Sequence, residues 1–190
     1  MPLTKLQAEG LNLADTFAFS GTVSGAGGGK VAQVLQAVKT DRQGTTNQNN
    51  WSDVSGLSQA ITPSATSSKI LLHFCVNTCA TVNSHSAIKI LRGSTDIFVG
   101  DADASNVRLF SGWRTVSDSQ YHAQVLSGSF LDSPNTTSAT TYKIQIQGDQ
   151  TVYVNRPVAD DDQSTVQRTR GSSSLTVMEI LAWLKKLFYK

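Results

Sequence analysis

The segment Thr140–Gly148, TTYKIQIQG, decides the fold class. Its apolar side chains, Tyr142, Ile144 and Ile146, alternate with lysine and glutamine. This period of two residues is that of a β-strand with one buried face, because successive side chains in a strand point to opposite faces of the sheet. The segment therefore predicts a strand that turns Tyr142, Ile144 and Ile146 inward.

The same alternation recurs on both sides of this segment. In Ser68–Asn77, SKILLHFCVN, one face carries the apolar side chains Ile70, Leu72, Phe74 and Val76. Further alternating runs are SAIKILRGSTDIFVG, which holds two strands around the turn Arg92–Thr95, and YHAQVLSGSFLD, TVYVN and SLTVMEI. About nine short strands at regular spacing, with no central helix, are typical of an antiparallel β-sandwich or jelly roll. We predict an all-β head of this class over residues 31–180.

The first element of that head, residues 31–40 (VAQVLQAVKT), is ambiguous. Helical spacing is matched by its apolar residues Val31, Val34, Leu35 and Val38. Against a helix, valine dominates the segment, four glycines lie just before it, and Lys30 is not a residue that caps a helix N-terminus. We predict a strand.

Residues 1–30 form a predicted extended arm that ends in the Gly/Ser-rich stretch GTVSGAGGGK. So little apolar surface cannot offset the entropy lost when such a segment becomes ordered on its own. We therefore expect the arm to lie against a neighbouring molecule, with Phe17 and Phe19 as its contact residues.

The tail, residues 181–190 (LAWLKKLFYK), predicts a short amphipathic helix with lysines beside its apolar face. At about 15 Å, this helix is too short to be stable alone. Three docking partners remain open: its own domain or a symmetry mate, a partner protein contacted through Leu184 and Phe188, or a membrane surface.

Composition argues against two classes of partner. The 190 residues carry a net charge of +2 with only 16% charged side chains, so we predict no nucleic-acid partner. No apolar run approaches the roughly 20 residues that a membrane span requires. The start Met1–Thr4 lacks the basic and apolar features of a signal peptide, so we expect synthesis in a cytoplasm without export by the usual route.

No motif predicts catalysis. The stretch GAGGGKV lacks the first glycine and the hydroxyl residue of a phosphate-binding loop. Glu9 and Glu179 lie at opposite ends of the chain, so they do not suggest the carboxylate pair of a glycosidase. Cys75 and Cys79 would lie about 13 Å apart along one strand, which is too far for a disulfide. The three histidines are scattered without metal-ligand spacing, with His73 and His122 on predicted strands and His85 near a turn. We predict no enzyme, no cofactor and no metal site.

With no catalytic or metal-binding motif, the function that the sequence still suggests is binding of a ligand at the protein surface. Residues 105–122, SNVRLFSGWRTVSDSQYH, concentrate aromatic and polar side chains between strands, where binding residues are often found. Aromatic rings there could stack on sugar rings. We predict a ligand site formed by Trp113, Arg114, Tyr121 and Arg108, with further contacts from Trp51, Asn106 and Asp118. The alternative is ordinary aromatic packing or a contact between subunits.

Five phrases together resemble a family: LADTFAFSGTVSGAGGGKV, GLSQAITPSATSSKILL, LRGSTDIFVGD, FLDSPNTTSATTYKIQIQG and LTVMEI. They resemble tail-fibre-like virion structural proteins of tailed phages, especially marine and cyanophage types, over most of residues 11–180. The resemblance implies a β-rich, trimeric head that is joined to the particle by an N-terminal segment, and it brings no catalytic motif. Relatives commonly stop soon after the MEI phrase, whereas this chain continues into its basic amphipathic tail.

Two functional hypotheses follow from the resemblance. The first is a non-enzymatic, homotrimeric fibre or fibre-like protein of the virion, bound to other virion proteins by its arm and presenting the head to a host surface glycan. The second is a capsid or tail decoration protein, or cement protein, that bridges virion subunits and recognises no host ligand. Both hypotheses place the chain in the virion after synthesis in the host cytoplasm.

Overall fold

The structure is a computed structural model that describes residues 31–181 except 47, 117–120, 162, 163, 165, 167 and 168. This part of the chain contains eleven strands and no α-helix. The strands are β1 (Val31–Lys39), β2 (Gln43–Thr45), β3 (Ser52–Ile61), β4 (Lys69–Ala80), β5 (His85–Arg92), β6 (Thr95–Ile97), β7 (Ser111–Arg114), β8 (Gln124–Asp132), β9 (Thr140–Gly148), β10 (Val152–Val154) and β11 (Ser173–Ile180). The predicted arm and C-terminal helix lie outside the described residues, so both stay predictions.

The strands pair into two antiparallel sheets. In sheet A, β11 and β4 are central, β1 flanks β11, β8 flanks β4, and β10 with β2 extends from the end of β4. In sheet B the order is β3-β9-β5, and β6 and β7 both pair with β5. The predicted antiparallel β-sandwich or jelly-roll class is confirmed.

The core lies between the two sheets and follows the alternation of the sequence. Sheet A contributes Ile70, Leu72, Phe74 and Val76 from β4, all fully buried. Sheet B contributes Tyr142, Ile144 and Ile146 from β9, also fully buried. Each such side chain contributes roughly 1.5–3 kcal/mol of hydrophobic stabilisation. The inward sets predicted for these two segments are confirmed.

One buried carboxylate, Glu179 of β11, is held inside the sandwich with no exposed surface. Its Oε1 accepts hydrogen bonds from the Ser64 amide at 2.6 Å and from the hydroxyls of Ser64 and Ser68 at 2.6 and 2.7 Å. Its Oε2 accepts a bond of 2.7 Å from Gln33 Nε2. These bonds join β11 to β1 and to the loop that follows β3, because a buried charge is tolerated only when its lone pairs are satisfied.

The structure has more strands than the sequence predicts, and β3 shows why. Its pairing with β9 shifts register between Asp53 and Ser58, and Gly56 lies there with a φ of 82°. An irregularity of this kind breaks the period of two on which strand recognition depends. One smaller difference concerns a histidine: His122 lies just before β8 rather than on it, whereas His85 opens β5 just after a turn, as predicted.

Candidate functional site

The outer side of sheet A carries a surface without formal charge, which we call the uncharged face. Lys69, the first residue of β4, bounds this surface at one end, where its ammonium donates to Ser133 Oγ at 2.7 Å. Beyond Lys69, the outward residues of four neighbouring strands include no Asp, Glu, Lys or Arg. These residues form the uncharged face: Val34, Gln36 and Val38 of β1, Ser174, Thr176 and Met178 of β11, Leu71, His73, Cys75 and Asn77 of β4, and Val125, Ser127, Ser129 and Leu131 of β8.

An apolar row crosses the uncharged face from edge to edge. The register places Val34 beside Met178, Met178 beside Leu71, and Leu71 beside Leu131. At the two ends of this row, Val34 is 58% exposed and Leu131 is 52% exposed. Large apolar side chains that lie together in the open usually mark a contact with another molecule.

Two pairs of polar residues on the uncharged face bond across neighbouring strands. Gln36 Nε2 donates to Thr176 Oγ1 at 2.8 Å, and the His73 ring nitrogen Nδ1 lies 2.9 Å from Ser129 Oγ. Such internally satisfied polar groups can enter an interface without a large desolvation cost. The face therefore has the composition of an interface core, which is depleted in charge.

The uncharged face ends where a charged cluster covers the far end of sheet A. Asp160 is nearly buried and forms ion pairs with Arg42, Arg156 and Arg170, the second at 2.5 Å. Arg156 also stacks over the ring of Tyr153, 4.1 Å from its centroid. Burial raises the pKa of Asp160, but the hydrogen bond from Arg42 and the charges of Arg156 and Arg170 outweigh it, so the pKa lies below its usual value.

The outer side of sheet B carries the second candidate site, which we call the polar groove. It consists of two adjoining depressions of about 270 and 410 Å³ that share His85, Ala87 and Leu109. The first is also lined by Asn49, Val107, Gln147, Gly148 and Asp149. The second is also lined by Ser86, Gly112, Trp113 and Arg114. Ligand clefts commonly have volumes of about 300–1,000 Å³, so the two depressions together fall in that range.

A hydrogen-bonded carboxylate fixes the histidine of the polar groove. Asp149 Oδ2 lies 2.9 Å from His85 Nδ1, and Asp149 Oδ1 accepts the backbone N–H of His85 at 2.8 Å and the hydroxyl of Ser84. Burial raises the pKa of Asp149, but the hydrogen bonds from His85 and Ser84 outweigh it and hold the pKa well below its usual value. Because an ionised carboxylate only accepts, Nδ1 carries a proton, and Nε2 is the nitrogen left for a ligand.

Glycine is required where the groove meets the end of β9. A Cβ built on Gly148 would lie 2.7 Å from the carbonyl oxygen of His85 and would overlap Val152 Cγ2. The Gly148 carbonyl also accepts the backbone N–H of Asn49 at 2.8 Å, and Asn49 adopts a φ of 57°. Asparagine tolerates this left-handed conformation better than most residues. The close backbone approach brings Asn49, His85 and Asp149 together.

The structure brings two of the four predicted ligand residues together at the groove, Trp113 and Arg114. Arg114 is exposed and pairs with His85 across β7 and β5. Trp113 packs partly against the core, and its indole N–H donates to Thr78 Oγ1 at 3.0 Å, which links the two sheets. Only part of the indole surface therefore remains for a ligand.

The other predicted ligand residues that the structure describes do not line either depression, although Arg108 lies between the lining residues Val107 and Leu109. Arg108 donates from Nε to the Gly100 carbonyl at 2.7 Å and is exposed on the loop before β7. Tyr121 is half-buried ahead of β8. Trp51 lies under the Lys89 ammonium, 4.8 Å from the ring centroid. Asp118 lies outside the described residues, as do the predicted partner contacts Phe17, Phe19, Leu184 and Phe188. The ligand and partner roles of all these residues stay predictions.

Sequence reasoning missed His85, Asp149, Asn49 and Gln147 as members of one site. His85 and Asp149 are 64 residues apart: His85 opens β5 just after a turn, and Asp149 directly follows the end of β9. The signal in the sequence was limited to polar turn residues beside strand ends, in NSH and GDQ. Nothing in such a signal says which turns meet in space.

The described residues contain no cluster of three or more His, Cys, Asp or Glu side chains that could hold a metal ion. Within the same residues, no helix has the length and hydropathy that a bilayer crossing requires.

No protein-family model matches the sequence, and no curated protein matches it significantly. The fold is distantly similar to VP2 of infectious bursal disease virus. A mutant VP2 in derived T=1 particles shares 13% identity at a TM-score of 0.38, and the match covers 79% of this chain and 36% of that chain. A VP2 subviral particle shares 10% identity at a TM-score of 0.34 over 78% of this chain and 41% of that chain. This chain therefore spans well under half the length of these structures, and so distant a likeness says nothing about function.

Proposed function

We propose that this protein is a non-enzymatic structural subunit of a tailed-phage virion, fibre or fibre-like, that works as a homotrimer. The observation that carries the proposal is the uncharged face. A four-stranded surface with an exposed apolar row and no formal charge is suited to lie against protein. The five phrases that resemble phage virion proteins support the same role.

The partner that covers the uncharged face is a second copy of the same chain. Four strands about 4.8 Å apart, and about seven residues long, present roughly 400 Å². A standard interface buries about 800 Å² per partner, so the face supplies about half of what a stable contact needs. In a trimer, three such faces turn toward a common axis, and the predicted arm of residues 1–30 supplies further contact with neighbouring virion proteins.

The host-directed part of this function is assigned to sheet B. Its outer side stays solvent-accessible when sheet A is covered, and it carries the polar groove. A trimer presents three copies of this groove to a host surface glycan, so weak single contacts combine into stronger attachment. If the protein is instead a decoration protein, sheet A is covered in the same way, but sheet B binds no host glycan.

The oligomeric state of the full chain tests the proposal. Multi-angle light scattering is expected to give a mass of about three chains. In the same sample, Cys75 lies on the uncharged face, so its thiol is expected to react slowly with a maleimide. Cys79 is buried within the chain itself and serves as the internal control. A single-chain mass at micromolar concentration, with fast labelling of Cys75, would overturn the proposal.

A further inference from the structure

The polar groove has the chemistry of a sugar-binding site, and this reading rests on the proposed function, in which sheet B faces the host. Its floor is apolar: Ala87 and Leu109 are half-buried and Val107 is exposed at its side. The C–H groups on one face of a pyranose ring need such a surface, because they are apolar while the ring hydroxyls are not.

The rim of the groove supplies neutral donors and acceptors. The amides of Asn49 and Gln147 each offer two N–H donors and one carbonyl acceptor. Within the described residues, neither side chain has a hydrogen-bond partner, so both amides are free to bond a ligand. An amide that donates and accepts at once matches a pair of neighbouring sugar hydroxyls, since each hydroxyl also does both.

His85, which also lies on the rim, is positioned to bond a sugar hydroxyl. The bond of His85 Nδ1 to Asp149 fixes the ring, and Nε2 remains available. In the neutral ring this nitrogen accepts a hydrogen bond, which a hydroxyl can donate. A group fixed before binding loses little conformational entropy when the ligand arrives.

Charge favours a neutral ligand. The one carboxylate of the first depression, Asp149, is ionised and lies beside His85, so an anionic group placed there would be repelled. Arg114, the cation of the groove, lines the second depression and not the first. Gln147, in contrast, lines the first depression alone.

We propose that the polar groove binds a neutral hexose unit of a surface polysaccharide. The sugar ring lies against Ala87 and Leu109, and its hydroxyls bond to Asn49, Gln147 and His85 Nε2. Arg114 lies beside the next sugar unit, in the second depression. Binding of one unit is weak, and the trimer makes attachment stable by presenting three grooves.

Saturation-transfer NMR on the full chain tests this assignment with four probes: the methyl glycosides of glucose, galactose and mannose, and methyl glucuronide as the anionic comparison. At least one neutral glycoside is expected to receive saturation, and more than the glucuronide does. Gln147→Ala is expected to lower that signal about three- to tenfold, which is the effect of losing one or two hydrogen bonds. Thr141→Ala, on the same strand about 20 Å away, is the matched control and is expected to leave the signal unchanged.

Three results would overturn the sugar assignment: no saturation of any probe, a stronger signal for the glucuronide, or an equal loss in Thr141→Ala. Light scattering of the same samples separates this failure from failure of the proposed function. A trimer that binds none of the probes removes the groove assignment alone, whereas a single-chain mass removes the assembly on which the proposed function depends. His85→Gln is a second variant, expected to weaken binding while its mass stays that of the wild type.

Discussion

The two outer faces of the sandwich are built from the same kind of strand but differ in charge. On sheet B, Lys143 pairs with Asp53 at 3.0 Å and Lys89 pairs with Asp96 at 3.0 Å. On sheet A, the uncharged face has no ion pair and exposes Val34 and Leu131 instead. Ion pairs at a surface cost little because water still reaches them, whereas charge in an interface core is costly. The difference supports the proposal that sheet B meets water or a polar ligand and that sheet A meets protein.

The largest effect is expected from charging the uncharged face. The double variant Val34→Lys with Leu131→Lys places two ammonium groups at the ends of the apolar row. Neither would find a partner in the assembled face, so the association constant is expected to fall at least about 100-fold. Sedimentation equilibrium measures this change.

The matched control for that experiment adds the same charge to sheet B. Ala139, just before β9, and Thr141, near the start of that strand, are both exposed. The double variant Ala139→Lys with Thr141→Lys is expected to leave the mass unchanged. If both double variants dissociate, the cause is general repulsion between the more highly charged chains rather than the loss of a contact at the uncharged face. If neither dissociates, the two faces do not differ in the way we infer.

A second, smaller effect, on the free energy of unfolding, is expected when Glu179, the buried carboxylate of sheet A, is replaced. Glu179→Gln replaces one acceptor oxygen by a donor that faces other donors, so the free energy of unfolding is expected to fall by about 2–3 kcal/mol. Burial raises the pKa of Glu179, but hydrogen bonds from Ser64, Ser68 and Gln33 outweigh it and lower the pKa below 4.5. Since the folded pKa is the lower one, the stabilisation is present above pH 4.5 and is lost as the pH falls below it.

Urea unfolding at a fixed protein concentration and at several pH values measures this difference. The gap between wild type and Glu179→Gln is expected to narrow below pH 4.5. A gap that stayed constant down to pH 2 would show that the carboxylate is not the group responsible.

The smallest effect is expected from the corresponding exposed carboxylate of sheet B. The side chain of Asp53 is 55% exposed, and hydrogen bonds from Gln145 and Lys143 keep its pKa below 3.8 despite partial burial. Because solvent screens this site, Asp53→Asn is expected to lower the free energy of unfolding by less than about 1 kcal/mol, and by still less at high salt. If Asp53→Asn lowered the free energy of unfolding as much as Glu179→Gln does, the outer side of sheet B would not be a solvent-exposed surface as we infer.

The strand β1 shows how much of the fold was predictable. Its apolar residues fit helical spacing because the strand is apolar on both sides: Leu35 packs against the core, and Val34 and Val38 lie on the uncharged face. A register shift between Val31 and Gln33 disturbs the period further. The strand prediction is confirmed, but it rested on valine content and on the glycines before it rather than on alternation.

The candidate sites were less predictable than the strands. Trp113 and Arg114 stood out in the sequence, and both line the groove. Asn49, Gln147 and Asp149 are ordinary polar residues at or near strand ends, and only the pairing of β9 with β5 and the approach of the Asn49 backbone bring them to His85. The uncharged face was equally hidden, since each of its strands alone shows only a polar or mixed outer side.

In the regularly alternating strands, such as β4 and β9, the sequence by itself determined which side chains turn inward, because alternation in a strand is a local property of the backbone. It also determined that the chain as a whole has few charged residues. Only the tertiary structure decided which strands lie side by side, and therefore that the outer residues of β1, β11, β4 and β8 form one uncharged surface, while the pairs Lys143–Asp53 and Lys89–Asp96 lie on sheet B. Strand order depends on contacts between residues far apart in the chain, and the period of a single strand does not encode them.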